Sequence, residues 1–490
     1  MKTLLVGLVF SLPLIQVHAS SLKGTRPNII LVMTDDQGMG DLSCMGNKVV
    51  RTPHIDAFYK KATRLTDFQV SPTCAPTRAA MMSGRPPFKV GVTHTIFQRE
   101  RLAPDVFTLP QALKSAGYAT GLFGKWHLGD EEAYLPQNRG FDEVLMHGAG
   151  GIGQVRLGDF LQNEENVYFD NALLHNDTIV KTKGYCTDLF FHAGLAWIRE
   201  QEKTDVPYFS YISLNAPHAP MAVAESYKKR FLDLGYDKRT AGRYGMIENI
   251  DDNFALLLKK LNEWDALENT LIIFMTDNGG THLSGKLNGK RVKHFNANLK
   301  GGKNSPTEGG THVPAFWQWK GKLREGVDIK QLTAHLDLFP TFCELAGVTL
   351  PGKMQKLDGL SLVPLLQDPA AAWPERELFV HCGRWNSGQR AKAKFQKCAV
   401  RTNKWRFVNN KELYDIENDP SETTDVSLAY PDVIAKLRKS YDQWWDATGP
   451  LLVNEGLPRV KPEDQPLVIR YAKQLAEKGI PEWAPAEIGN

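Results

Sequence analysis

The stretch Asn28-Ile-Ile-Leu-Val-Met-Thr34, running directly into Asp35-Asp36-Gln37-Gly38, decides how the rest of the chain is read. It is almost wholly apolar and does not alternate, the pattern of a strand covered on both faces in a parallel sheet. Thr270-Leu-Ile-Ile-Phe-Met-Thr276 repeats that composition and breaks the same way, into Asp277-Asn278-Gly279-Gly280. Runs beginning at Tyr118 and Pro207 read as two more buried strands. They end in Gly124-Lys125-Trp126-His127-Leu128-Gly129 and Asn215-Ala216-Pro217-His218-Ala219-Pro220. Helical spacing fills the intervals at Leu109–Ala116, Gly184–Glu202 and Tyr244–Leu261. The fold class is therefore α/β, a mainly parallel sheet sandwiched by helices. In such a sheet the strand carboxyl ends share one edge, where ligands bind, so the four polar clusters are expected to converge.

The chemistry is expected around Ser71-Pro-Thr-Cys74-Ala-Pro76-Thr-Arg78-Ala-Ala-Met-Met-Ser-Gly-Arg85. Pro76 suits the first turn of a helix, and Ala79 to Met82 continue it. Cys74 then stands at the positive end of the helix, with Arg78 one turn on, an arrangement that favours a thiolate or an anionic ligand. Adjacent carboxylates such as Asp35 and Asp36 serve either as a cap or as ligands of a hard cation. Lys125 and His127 are two residues apart, so extended backbone sends both side chains to one side. Gly148-Ala-Gly-Gly-Ile-Gly153 fits G-x-G-x-x-G, but no helical period follows it. It reads as a flexible loop near the site entrance rather than a dinucleotide site.

The 490 residues are 42% hydrophobic and 23% charged, with a net charge of +4 and no basic stripe interleaved with aromatics. Nucleic-acid binding is not expected. Lys2, the apolar run Leu4–Ile15 and Val17-His-Ala19 read as a cleaved signal over residues 1–19, and no later run is long enough to span a bilayer. A protein without an integral membrane segment, exported to periplasm or medium, is expected. Six cysteines are too few for a disulfide scaffold; Cys382 and Cys398, flanking a hairpin-like stretch, are the expected pair. The main unit is expected over residues 20–370. Residues 371–490 are expected to form a small antiparallel sheet, a helix near Pro431–Trp445 and a tail wrapping the surface.

Cys74-x-Pro76-x-Arg78, the Gly124–Gly129 segment and Lys303-x4-Glu308-Gly-Gly310 resemble the signatures of the type I sulfatases, and the resemblance runs over roughly residues 27–370. It implies an alkaline-phosphatase-like fold and a sulfuric ester hydrolase whose Cys74 is oxidised to formylglycine, the nucleophile. It also implies one Ca2+ held by Asp35, Asp36, Asp277, Asn278 and residue 74. Lys125, Lys303 and Arg78 would neutralise the sulfate ester. His218, or as the second choice Lys303, would protonate the leaving alcohol, and His127 would take the proton that lets the aldehyde reform. The implied partners are a sulfated carbohydrate, with a lean toward galactose-type units, and a formylglycine-generating or anaerobic sulfatase-maturating enzyme. Thr311-His312 departs from the family pattern. His312 is thus a candidate for sugar or acidic-group recognition, with His94, Arg99, Arg101, Trp126, Gln154 and Arg384. Two alternatives stay open at this point: a phosphoester or phosphonate hydrolase of the same superfamily, and a non-catalytic protein that binds sulfated glycans.

Overall fold

The computed structural model describes residues 21–160 and 167–489, so the leader expected at residues 1–19 lies outside the described residues. The four apolar runs form β1 (Asn28–Thr34), β2 (Ala119–Lys125), β3 (Tyr208–Ser213) and β4 (Thr270–Thr276). They stand in the order β4-β1-β3-β2, mutually parallel, at the centre of a ten-stranded sheet. Glu143–His147 extends the parallel set beyond β2, while Ala315–Gln318 and Ala172–His175 pair antiparallel toward the edges.

Both faces of the sheet are covered, which is why β1 cannot alternate. Ile29, Leu31 and Met33 pack with Ala75, Ala79 and Met82 of helix α1 (Cys74–Ser83). Ile30 and Val32 face the other way, toward Phe190, Phe191 and the Ile250 and Phe254 of helix α2 (Lys238–Glu263). Each fully buried aliphatic side chain contributes about 1.5–3 kcal/mol, so a polar residue anywhere in β1 would be costly. Helix α2 begins six residues before the expected Tyr244. Asp237 caps it, accepting the Arg239 and Thr240 N–H groups at 3.1 and 3.0 Å.

Register fixes the site. Thr34 pairs with Thr276, and Met33 with Ser213, so the residues following these strands emerge at one level. The Asp277 N–H donates to the Thr34 carbonyl at 3.1 Å, placing Asp35 and Asp277 side by side.

A second, four-stranded antiparallel sheet follows: Leu378–His381, Cys398–Arg401, Trp405–Val408 and Glu412–Asp415, with helix Pro431–Thr448. The last segment contains a helix, Pro466–Lys478, that the sequence reading did not anticipate. Gln474 exchanges two hydrogen bonds with the Ile179 backbone, at 2.8 and 2.7 Å, and Lys181 N–H donates to the Pro481 carbonyl at 2.8 Å.

The Cys382–Cys398 pairing is not found: all six cysteines are free thiols. Register explains this, because His381, not Cys382, stands opposite Cys398, and successive side chains point to opposite faces of a sheet. The Cys382 thiol instead donates to the Asn304 carbonyl at 3.0 Å. Among the described residues no helix is long and apolar enough to cross a membrane.

Candidate active site

Helix α1 begins at Cys74 itself and is buried along its whole length. Thr73 is extended and gives no side-chain cap, so the positive end of the helix dipole is left facing the surroundings of Cys74. Pro76, third in the helix, has no N–H to leave unsatisfied there. Gly84, at φ 64°, ends the helix by donating to the Ala80 carbonyl at 2.8 Å.

The loops after β1, β2, β3 and β4 bring the expected residues to this point. Lys125 Nζ lies 2.6 Å from Asp35 Oδ2, Arg78 Nη2 2.8 Å from Asp277 Oδ2, and Lys303 Nζ 2.6 Å from Asp36 Oδ1. Arg78 is further fixed by the Lys125 carbonyl at 3.0 Å, Tyr211 at 3.2 Å and Ser213 Oγ at 2.5 Å. Asn278 donates to Asp36 at 2.9 Å. All these charges but the partly exposed Lys303 are buried, and their ionisation reflects it. Burial and their carboxylate neighbours push Asp35 and Asp277 up to about 6, against Lys125 and Arg78. Burial acts the same way on Asp36, but Lys303, His218 and the Asn278 amide hold it well below the usual carboxylate range. Burial raises the Cys74 thiol, yet the Lys125 and Lys303 ammonium groups outweigh it and the net shift is downward. Burial lowers Lys303 and Asp36 raises it, leaving it above the ordinary lysine value.

The donor set fits a hard divalent cation. Ligand atoms of Asp35, Cys74 and Asp277 all lie within 4.8 Å of one another. Asp35 Oδ1 and Asn278 Oδ1 are buried acceptors with no hydrogen-bond partner. Each such orphan costs on the order of 1–3 kcal/mol, and carboxylate and amide oxygens are the ligands that calcium or magnesium prefers.

His127 and His218 stand beside the adjacent glycines Gly150 and Gly151. His127 Nε2 contacts the Thr95 carbonyl at 2.8 Å, and its Nδ1 is buried without a partner. Burial, helped by Lys125, pushes its pKa far down, so it is neutral. His218 Nδ1 donates to the Ala219 carbonyl at 2.7 Å, which leaves Nε2 3.7 Å from Asp36 Oδ2. Gly148–Gly153 does sit at the site, but it is tied down rather than loose. Asp159 accepts the Gly148 and Gly153 N–H groups at 2.8 and 2.5 Å. Gly150 abuts His127 so closely that a Cβ there would lie 2.4 Å from Nε2.

The sugar-recognition candidates divide. His94, Arg384 and Gln154 are at the site rim. Arg384 donates to Thr95 Oγ1 at 2.8 Å, and His94 accepts the Thr95 N–H at 2.8 Å. Burial and the cations Arg384 and Arg99 press His94 down to about 3. Gln154 lies against Gly151, which faces His218. The other candidates are occupied elsewhere. Arg99 binds the Gly383 and Trp385 carbonyls, both at 2.7 Å, tying the rim loop to the C-terminal part. Arg101 pairs with Glu131, and Trp126 donates to the Tyr134 carbonyl at 2.9 Å inside the core. His312 lies 2.7 Å from Glu308 in a separate ion cluster. Sequence reasoning missed Thr95, Gly150, Tyr211 and Ser213, whose roles arise only across the fold.

The family model for sulfatases matches residues 27–348, and the model for the N-sulphoglucosamine sulphohydrolase C-terminal region matches residues 304–445. The N-acetylgalactosamine-6-sulfatase of Sus scrofa is 30% identical over 382 residues, 73% of this chain and 69% of that one. Arylsulfatase A of Homo sapiens is 29% identical over 479 residues, covering 92% and 87%. A solved structure, Ps i-CgsB in complex with k-i-k-neocarrahexaose, superposes with a TM-score of 0.75 at 27% identity, covering 92% of this chain and 98% of that one. With its Cys74 helix, its carboxylate cluster and its paired lysines on a sheet edge of this topology, the chain belongs to the sulfatase family of sulfuric ester hydrolases.

Proposed function

We propose that the chain is an exported, calcium- and formylglycine-dependent sulfatase that removes sulfate esters from carbohydrates, with galactose-type units as the preferred class. One observation carries this reading. Two orphaned buried oxygens, three carboxylates and the lysine pair surround Cys74 at an uncapped helix start. Asp35, Asp36, Asp277 and Asn278 would hold the calcium ion, which would supply positive charge to the sulfate oxygens. A formylglycine at position 74 would supply the nucleophilic hydroxyl. The carbohydrate assignment is supported by the names of two similar proteins, one an N-acetylgalactosamine-6-sulfatase and the other a structure holding a neocarrahexaose.

The chain's own groups have defined tasks. Lys125 and Lys303 are preorganised donors for the sulfate oxygens, and Arg78 keeps Asp277 and the Lys125 backbone in place. His218, its Nδ1–H held by the Ala219 carbonyl, turns Nε2 toward Asp36 and would give a proton to the leaving-group oxygen from its imidazolium form, which burial opposes and Asp36 favours. His127, neutral through burial, keeps Nδ1 free to accept a proton.

Peptide mass spectrometry across residue 74 together with sulfate release from sulfated galactose, galactosamine and glucosamine saccharides tests the reading. Formylglycine with sulfate release supports it, and the best saccharide names the class. Fully converted protein in calcium that releases phosphate but no sulfate would refute it.

A further inference from the structure

A cation-lined cleft lies beside the loop that carries Asn278. The loop carrying Asn278 continues within four residues to His282 and then into the hairpin β5 (Ser284–Leu287) and β6 (Lys290–Lys293). Hairpin residues 284–293 include four cations, Lys286, Lys290, Arg291 and Lys293, and no acid. Against it lies the start of α2, and between them opens a cleft of about 410 Å³ lined by Arg239, Arg243, His282, Lys286, Arg291 and His294.

Arg243 is spent on the fold, paired with Asp41 at 2.5 Å, but Arg239, Lys286 and Arg291 of the cleft, with Lys290 and Lys293 beside it on the hairpin, are not. Among the described residues no ion pair engages Arg239, Lys286, Lys290, Arg291 or Lys293, and all five are exposed. Arg239 reaches only the His282 ring, at 3.0 Å, and Arg291 only Ser284, at 3.4 Å. The one acid in the cleft, Asp237, is taken up by backbone N–H groups of Arg239, Thr240 and Lys286. His294, 8% exposed, lines the cleft with Nδ1 unpartnered. Exposed like charges gathered along one cleft repel one another and raise the local concentration of counter-anions there. The cleft and the catalytic site share a wall, since Arg243 lines the cleft and donates to the Asp36 carbonyl at 3.2 Å.

We propose that this cleft binds a second sulfate or carboxylate group, carried on a sugar next to the one being desulfated, so that the chain prefers polyanionic glycans over isolated sulfated sugars. The inference rests on the carbohydrate-sulfatase reading and names a substrate feature that reading does not contain.

The test uses the full-length mature protein and the variants K286S/R291S and K286R/R291K. Binding of a labelled polysulfated galactan hexasaccharide, and of the same hexasaccharide with one sulfate, is measured by anisotropy at two salt concentrations, alongside sulfate release from each. K286S/R291S is expected to weaken polysulfated binding about tenfold, with a shallower salt dependence, and to affect the monosulfated ligand much less. K286R/R291K, which keeps charge and fold, is expected to retain binding. Equal binding of both ligands by wild type and K286S/R291S overturns the cleft, as does failure of wild type to bind the polysulfated ligand. Charge-dependent binding with no sulfate release from any ligand leaves the cleft standing and removes the sulfatase reading instead.

Discussion

Lys303 is held by a single carboxylate, Asp36, and is 9% exposed at its side chain, so it is anchored on one side and free to meet an anion on the other. Lys303→Ala removes that donor and leaves Asp36 buried without its cation. Sulfate release is expected to fall roughly 10²–10³-fold, the usual loss for one preorganised donor, read as kcat/KM beside a thermal melt that shows the fold intact. Gly150 makes a subtler case. It is not at positive φ, so Gly150→Ala carries no backbone penalty, only the 2.4 Å approach to His127 Nε2. Displacing the imidazole by a fraction of an ångström is expected to lower kcat on the order of 10²-fold with little change in KM. An unchanged kcat would show that His127 is not the proton acceptor. At this scale Asp35, Asp36, Lys125, His127, His218 and Asp277 were legible because they stand at the ends of apolar strands, while Arg78 and Lys303 were legible only through the motifs that carry them. Thr95 and Gly150 were not: they act on His127 only through contacts 32 and 23 residues away in sequence, and neither residue type advertises such a role.

At the scale of elements, the short helix Glu308–Thr311 joins the two sheets. Glu308 is buried between Arg401 at 3.1 Å and Arg406 at 2.5 Å, both on strands of the C-terminal sheet, with His312 on its other side. The family-like Lys303-x4-Glu308 motif is thus split in function, with its lysine in the site and its glutamate in the joint. His312, expected at the substrate, belongs to that joint, and nothing in its spacing distinguished the two roles. Breaking a buried pair on one side costs about 3–5 kcal/mol, so Arg406→Met is expected to unfold at markedly lower urea, softened by the remaining Arg401. The pH dependence has two limbs. Burial opposes but Arg406 and Arg401 prevail, holding Glu308 well below 4.5. Its contribution is therefore present above pH 4.5 and lost as pH falls toward the depressed folded value. Burial lowers His312 but Glu308 prevails and lifts it above 6.5, so its contribution is full below pH 6.5 and lost as pH rises through the folded value. Urea midpoints of wild type, Glu308→Gln and His312→Asn across pH 3–9 check both limbs. A His312→Asn deficit that grows with rising pH would refute the second.

Over the whole molecule, the central parallel sheet and the convergence of its loops were readable from composition, since a strand buried on both faces has nowhere to place a polar residue. The C-terminal helix Pro466–Lys478 was not, because only Leu467 and Gln474 are buried on it and one of those is polar. Its position nevertheless connects the end of the chain to the chemistry. Leu467 packs against Gly148, Gln465 lies against Gly158, and the Tyr471 ring meets Phe160 at 6.3 Å, so the helix backs the loop whose Gly150 braces His127. Asp159 clamps that loop from within, and burial, against the Gly153 and Gly148 N–H groups, lifts its carboxyl to about 8. An internal clamp of this kind is weakest when its backing is removed. Ending the chain at Lys461 deletes the helix together with the Gln474–Ile179 hydrogen bonds. The shortened protein is expected to melt several degrees lower and to lose about tenfold in kcat, while KM for a small sulfate ester changes little because Lys125 and Lys303 stay in place. Hydrogen exchange over residues 147–160 should rise in the same variant. If kcat holds while that exchange rises, the loop does not need to be rigid for His127 to work, and the brace is structural only.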